Sequence, residues 1–262
     1  MKKTHTLFLS GFSYLVLVFL YLPLLVLFIY SFNSSRINAV WSGWTLDWYL
    51  SLFQNRQIID AFFNSLTIAL GTAIFAVIFG CLLVLAFYRY SYRFHKSWMT
   101  LIHLPIVLPD IIMGLSLLLL FNYLSIPTGK LTILIAHITF SIPFVYVLVS
   151  SRLQEMDRDL EDAAQDLGAT SWQSFFHITL PLLYPSIFSS LLLVFSLSLD
   201  DFVISFFVSG PGSTTLPVYI YGMVKRGITP EVNALASLLM IITVILSLIA
   251  LKIGKVRGQK IF

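Results

Sequence analysis

Residues 151–181 read SRLQEMDRDLEDAAQDLGATSWQSFFHITLP. Six of the chain's 12 acids fall in this segment: Glu155, Asp157, Asp159, Glu161, Asp162 and Asp166. On both sides the sequence becomes apolar for about twenty residues or more, the length that crosses a bilayer as a helix. A polar island between two such runs is a loop joining membrane spans.

The rest of the chain agrees. It has 262 residues, is 58% hydrophobic and only 11% charged, with a mean hydropathy of +0.90. A soluble domain carries about 25% charged residues, so this chain has too little charge to cover a surface facing water. Its apolar runs are continuous rather than alternating, which points to helices and excludes a barrel. The fold class is therefore all-α membrane protein, with six spans near 8–31, 62–88, 99–124, 131–151, 182–208 and 232–252. The first is too long for a signal peptide, and no small-residue cleavage site follows it. With no linker or soluble domain in sight, residues 1–262 read as a single transmembrane domain whose main inner loop is about 152–181.

The net charge of +4 does not indicate nucleic acid, because the basic residues cluster at the ends of apolar runs, where they orient a membrane protein. With both termini inside, the inner segments hold 11 of the 16 Lys and Arg: Lys2, Lys3, Arg89, Arg93, Lys96, Arg152, Arg158, Lys252, Lys255, Arg257 and Lys260. The outer segments hold Arg36, Arg56, Lys130, Lys225 and Arg226. That asymmetry places both termini in the cytoplasm. The one cysteine, Cys81, lies in an apolar run and reads as an inert core thiol. In the first outer segment Trp41, Trp44 and Trp48 are spaced for an amphipathic helix at the lipid interface. The segment from Ser209 to Val232 reads as a turn-rich outer loop.

Within the inner loop two short helices are expected. The first runs through DLEDAAQDL and stops at Gly168. The second opens with Thr170 and Gln173, which fit a T-x-x-Q capping box. Trp172, Phe175 and Phe176 recur at i, i+3, i+4 along it. The small residues Ala163, Ala164, Gly168 and Ala169 allow another surface to approach closely.

The stretch DAAQDLGATSWQSFFHITLP resembles the cytoplasmic motif of ABC importer permeases: E-A-A, three residues, Gly, nine residues, then Ile-x-Leu-Pro. Asp162, Ala163, Ala164, Gly168, Ile178, Leu180 and Pro181 fall on its positions. Asp162 stands where the family usually has Glu, so the charge is kept with one methylene less. The resemblance implies a type I ABC importer permease in the bacterial inner membrane, with this loop as the coupling helix that sits on an ATPase subunit. YLPLLVLFIYSFNSSR, LPDIIMGLSLLLLF and LSLDDFVISFFVSGPGSTTLPVYIYGMVKRGITPEVNALASLL narrow it to the polyamine (spermidine and putrescine) permeases. Implied partners are a second homologous permease, two ATPase subunits and an external polyamine-binding protein. The chain would then be a non-enzymatic subunit with no cofactor of its own, ATP and Mg being bound by the partner ATPase. Consistently, it has no phosphate-binding G-x-x-x-x-G-K-[ST] loop.

A polyamine path needs spaced carboxylates, together with aromatic faces for cation–π contact; aromatics make up 15% of the chain. The candidate acids are Asp110, Asp200 and Asp201. In FSLSLDDFVISFF the last two interrupt an apolar run, and one carboxylate at a helix centre costs about 2.5–3.5 kcal/mol. Such acids mark a transport path or a partner charge. Neighbours on a helix point about 100° apart, so only one of the pair can face a pore. The expectation is Asp201 in the path, with Asp200 in a structural hydrogen bond or helix contact. Asp110 follows Pro105 and Pro109 and precedes Gly114, a pattern for a kinked helix presenting one carboxylate.

His103 and His137 read as satisfied core residues rather than metal ligands. Pro143 is expected to kink the fourth span, and Glu231 to be a first-turn acid of the sixth. An alternative substrate within the same transporter class is ferric iron, which favours clustered hard oxygen ligands. A remote alternative is an intramembrane aspartyl protease using Asp110 and Asp201 as a proton-sharing pair. The flanks Leu-Pro-Asp and Leu-Asp-Asp do not resemble the Tyr-Asp and Gly-x-Gly-Asp of those enzymes, and that reading leaves the inner loop unexplained.

Overall fold

The computed structural model describes residues 2–35, 40–90, 93, 95–157, 159–227 and 229–256; side chains are described outside 2–10, 95 and 246–256. Arg36, Arg158, Arg257 and Lys260, part of the orienting charge pattern, lie outside the described residues. So do the side chains of Lys2, Lys3, Lys252 and Lys255.

The described chain is helical, and its one β-type pairing is an isolated bridge between Asn33 and Trp44. In order the helices are α1 (Lys2–Tyr30), α2 (Asp47–Gln54), α3 (Arg56–Arg89), α4 (His95–Val107), α5 (Asp110–Tyr123) and α6 (Lys130–Gln154). They continue with α7 (Asp159–Asp166), α8 (Ser171–Ser174), a π-helical turn (Phe175–Thr179) and α9 (Leu180–Asp200). The last are α10 (Val203–Val208), α11 (Leu216–Arg226) and α12 (Pro230–Val256). Among the described residues four helical stretches are long and apolar enough to cross a bilayer: Gly11–Tyr30, Arg56–Arg89, Lys130–Gln154 and Ser171–Asp200. The pair α4 and α5 makes a fifth if it is counted as one broken span, bent by 109°. The chain is a multi-pass membrane protein.

Two compact units are distinguished, Met1–Ile59 with Tyr219–Ile245, and Asp60–Val218 with Leu246–Phe262. In the first, the described side chains of α1 are exposed or half-exposed up to Tyr30, as suits a helix whose apolar surface faces lipid. After it the chain knots around Asn33, which is fully buried. The Asn33 amide donates to the Val40 carbonyl (2.8 Å), and its side-chain oxygen accepts from the backbone N–H of Ser42 (3.0 Å) and Ser35 (3.3 Å). Its own carbonyl accepts from the Trp48 indole at 2.7 Å. This knot corrects the expectation of a helix carrying three tryptophans. Only Trp48 lies on α2, while Trp41 and Trp44 pack edge to face at 5.0 Å in the irregular segment before it. The side-chain bonds of Asn33 satisfy backbone groups that a helix would otherwise have paired. Glu231 lies in the first turn of α12, as expected.

The second unit holds the larger core. Ala73, Ala76 and Val77 of α3, Val145 and Val149 of α6, and Leu183 and Val194 of α9 form one buried cluster. Ile68, Met113, Phe121, Ile133, Ala136, Ile204 and Val208 form another, where α3, α5, α6 and α10 meet. Pro143 lies inside α6, which continues unbroken through it. Two expected spans are broken. The third divides at Leu108–Pro109, and the fifth stops at Asp200, resuming as α10 from Val203. The expected turn-rich outer loop is a turn only as far as Thr215, beyond which α11 is helical. That turn is stitched to α3, with the Asn64 amide donating to the carbonyls of Gly212 and Thr214 at 3.0 Å each, and the Leu216 N–H to Ser65 Oγ at 2.8 Å.

Candidate functional site: the inner loop and the acids at the helix breaks

In the loop between α6 and α9, expected on the inner side, the local sequence dictates the geometry. α7 carries Asp159, Glu161 and Asp162 in its first turn, where carboxylates complement the helix dipole. It ends at Asp166, and the turn after it passes through Gly168, whose φ of +93° is a left-handed conformation that side chains with a Cβ resist. Thr170 then caps α8. Its hydroxyl accepts from the Gln173 N–H (3.3 Å), and the Gln173 side chain accepts from the Thr170 N–H (2.8 Å). The capping box is therefore formed on both sides.

The continuation of α8 is not a plain α-helix. Phe175–Thr179 widens into a π-helical turn before α9 begins. Contacts that the motif does not reveal fix this turn. Thr179, buried, donates to the Glu161 carboxylate, and Ser174 Oγ donates to the Glu161 carbonyl at 3.4 Å. The Arg89 guanidinium, at the end of α3, lies 5.5 Å from the centre of the Phe175 ring. Arg152, at the end of α6, donates to the Leu182 carbonyl (3.4 Å) and to Glu155 (3.3 Å). The loop is thus pinned to the ends of α3, α6 and α9, while its outer surface is bare. Of the motif residues, Asp162, Ala163, Gly168 and Pro181 are exposed; Ala164, Ile178 and Leu180 are half-buried. Leu167 and Trp172 are 91% and 73% exposed, apolar surface of the kind that marks a protein contact. Trp172 stacks on Phe176 at 5.8 Å.

The acids occupy the two helix breaks. Asp110 is the first residue of α5, exposed, immediately after Pro109. α5 packs on α10, and the contact passes through Gly114. A Cβ there would stand 2.9 Å from the Phe207 ring and 3.3 Å from the Ile204 Cα, so the close approach requires glycine.

At the second break the two acids stand in different surroundings. Asp200 ends α9 and is exposed. Asp201, extended at φ −63°, ψ 122°, turns its carboxylate onto α10. Oδ2 accepts from the Ser205 N–H at 2.7 Å and Oδ1 from the Ile204 N–H at 3.3 Å. Oδ2 also lies 3.1 Å from His137 Nε2. Asp201, the acid expected in the path, is thus held by hydrogen bonds, and the regular helix assumed to run through both acids ends at Asp200. His137 is 1% exposed and satisfied, as expected, with Ser198 Oγ 2.7 Å from Nδ1 and Ser205 Oγ 3.1 Å from Nε2. His103 is also engaged, Nδ1 lying 2.7 Å from the Met99 carbonyl.

Residues 83–256 match the family described as "Binding-protein-dependent transport system inner membrane component", and the chain belongs to that family. It is 48% identical to the putrescine transport system permease protein PotI of Escherichia coli strain K12, over 85% of this chain and 82% of that one. It is 42% identical to the spermidine/putrescine transport system permease protein PotC of the same strain, over 90% of each chain. Its fold matches a chain in the crystal structure of a bacterial ABC transporter involved in import of the acidic polysaccharide alginate. The TM-score is 0.76 at 20% identity, covering 98% of both chains.

Proposed function

We propose that this chain is the permease subunit of an ATP-driven polyamine importer, one half of the path through which spermidine or putrescine enters the cell. The observation that carries the substrate is its 48% and 42% identity, along nearly the whole chain, to permeases named for putrescine and for spermidine/putrescine transport. The subunit crosses the bacterial inner membrane six times as a single domain, residues 1–262, with both termini in the cytoplasm. α1, α3, the pair α4–α5, α6, α9 with α10, and α12 are the spans. The excess of Lys and Arg in the inner segments supports that orientation.

The chain itself catalyses nothing. ATP and Mg belong to two partner ATPase subunits, one of which seats on the surface carrying Asp162, Ala163, Ala164 and Gly168. Ile178, Leu180 and Pro181 join that surface to α9, so that movement of the loop is delivered to the span holding Asp200. A second homologous permease completes the path and an external binding protein supplies the polyamine. Asp110 and Asp200 are the path acids. Both are exposed at helix breaks, where unwound backbone is tolerated because it lines a cavity or is buried in protein. Asp201 lies beside the path and supports its shape. Polyamines carry ammonium groups separated by methylenes, and separated carboxylates match them without binding so tightly that release stalls.

The test is uptake of radiolabelled spermidine and putrescine by cells lacking this chain, complemented with the wild type, Asp110→Asn or Asp200→Asn at matched levels of assembled complex. Restored uptake by the wild type, lost in each variant, is expected. A wild type that assembles with its partners yet restores no polyamine uptake would sink the substrate assignment.

A further inference from the structure

We infer that His137 is a positioning residue that latches Asp201 away from the substrate, so that only one carboxylate of the Asp200–Asp201 pair is presented to the path. The inference rests on the polyamine importer reading and goes beyond it, because it assigns the two adjacent acids opposite tasks and names the group that separates them.

The geometry is as follows. Between α9 and α10 the backbone leaves the helix at Asp201, so the first N–H groups of α10 have no helical partner. The Asp201 carboxylate supplies one, accepting from Ile204 and Ser205. A carboxylate has two oxygens and about four acceptor positions, and these bonds alone would leave a further acceptor position on Oδ2 open to a cation. His137, on α6, fills it at 3.1 Å. With the proton on Nε2, the imidazole donates to Asp201 Oδ2, while Nδ1 accepts from the Ser198 hydroxyl at 2.7 Å. Ser205 Oγ, 3.1 Å from Nε2, closes the ring of contacts. One tautomer satisfies the whole cluster. The three side chains that His137 touches come from before, within and after the break: Ser198, Asp201 and Ser205. The imidazole therefore fixes the angle of the break as well as the carboxylate. His137, Ser198 and Ser205 are 1%, 5% and 0% exposed, and the Asp201 side chain 12%. Asp200, one residue earlier, is exposed.

Asn at position 201 can still accept from Ser205 and His137 through its amide oxygen and loses only the longer bond from the Ile204 N–H, so the latch survives loss of the charge. Removing His137 instead opens that position on a charged carboxylate beside the path. A newly accessible negative charge acts differently on spermidine, which carries three ammonium groups, and on putrescine, which carries two. The expected signature is a changed preference between polyamines, which a loss of stability alone does not produce.

The experiment measures spermidine and putrescine uptake per assembled complex in cells lacking the native chain. Asp200→Asn should lower both at least about tenfold, as for loss of a functional intramembrane charge. Asp201→Asn should stay within about twofold of the wild type, since its hydrogen bonds are largely kept. His137→Leu should change the spermidine-to-putrescine ratio at least about threefold, and adding Asp201→Asn should restore it, the coupling expected of residues in contact. His137→Gln, which keeps an N–H donor, replaces His137→Leu if the latter does not assemble. The latch is overturned if Asp201→Asn falls as far as Asp200→Asn, or if His137→Leu lowers both uptakes equally with the ratio unchanged. If the wild type carries no polyamine, the importer reading fails by itself. The latch is then judged by a thermal-unfolding cycle of the purified complex, in which additive effects of His137→Leu and Asp201→Asn overturn it.

Discussion

Two acid-bearing segments of this chain, Asp159–Asp166 in the inner loop and Asp200–Asp201 at the end of α9, handle their charge in opposite ways. In the first, the acids sit on a short helix whose residues are exposed or half-exposed, and water bears most of the cost. The structure there is made by neighbours in sequence: a left-handed glycine at 168 and a reciprocal cap between Thr170 and Gln173. In the second, one acid is exposed and the other is held by His137, which is 64 residues away along the chain. A carboxylate packed among helices needs partners that local sequence does not provide. Apart from Glu161, which holds the buried Thr179, the loop's acids can therefore be substituted singly at little cost in stability, whereas the second break cannot lose one partner without leaving another unsatisfied.

That contrast can be broken or sharpened by unfolding measurements on the purified complex in detergent. The largest effect is expected for His137→Leu, which takes a donor from the Asp201 carboxylate and leaves Ser198 and Ser205 without their partner, and should cost on the order of 3 kcal/mol, as for a lost hydrogen bond to a charged group. A melting temperature equal to the wild type would remove the distinction between the segments. Ser198→Ala comes next. It leaves Nδ1 of His137 without its partner, at about 1–3 kcal/mol, and Ser198→Thr should recover part of the loss.

Changes in the inner loop should be smaller and local. Gly168→Val forces a β-branched residue into a left-handed conformation, at about 1–2 kcal/mol. It should reduce co-purification of the ATPase subunits while hardly moving the melting of the membrane helices. If it lowers that melting as much as His137→Leu, the loop and the bundle are one cooperative unit. Thr170→Ala is the smallest, about 1 kcal/mol for a lost cap. It is read most directly as faster amide exchange at Gln173 and Ser174, with exchange along α6 unchanged.

Much of the inner loop was legible because its determinants are local. A glycine after a helical run and a Thr three residues before a Gln specify a stop and a start wherever they occur, and both appear in the structure. What the loop's sequence did not show is the π-helical turn and its fastening by Glu161 to Thr179, which depends on two segments folding back on each other. The tryptophans show the opposite failure. Their spacing is helical, but Asn33 captures the backbone at Val40 and Ser42 and keeps Trp41 and Trp44 out of a helix. A buried asparagine in a polar, turn-rich segment was the available signal. For the acid pair, the signal for a break was weak. No proline or glycine stands between Leu182 and Val208 except Pro185, far from Asp200. The serines at 198 and 205, seven residues apart around the acids, become meaningful only once His137 is placed against them.

The sequence by itself determined that the chain is a helical membrane protein, that residues 159–181 form two capped helical pieces, and that acids interrupt two apolar runs. Those properties follow from hydrophobic length, charge and short-range backbone preferences, all of which act between residues close in the chain. Only the tertiary structure decided where the fifth run breaks and which acid of the pair is spent on holding the break. The physical reason is that hydrogen bonding deep in the bundle is settled by whichever polar group another helix brings within about 3 Å, and α6 brings His137 to Asp201.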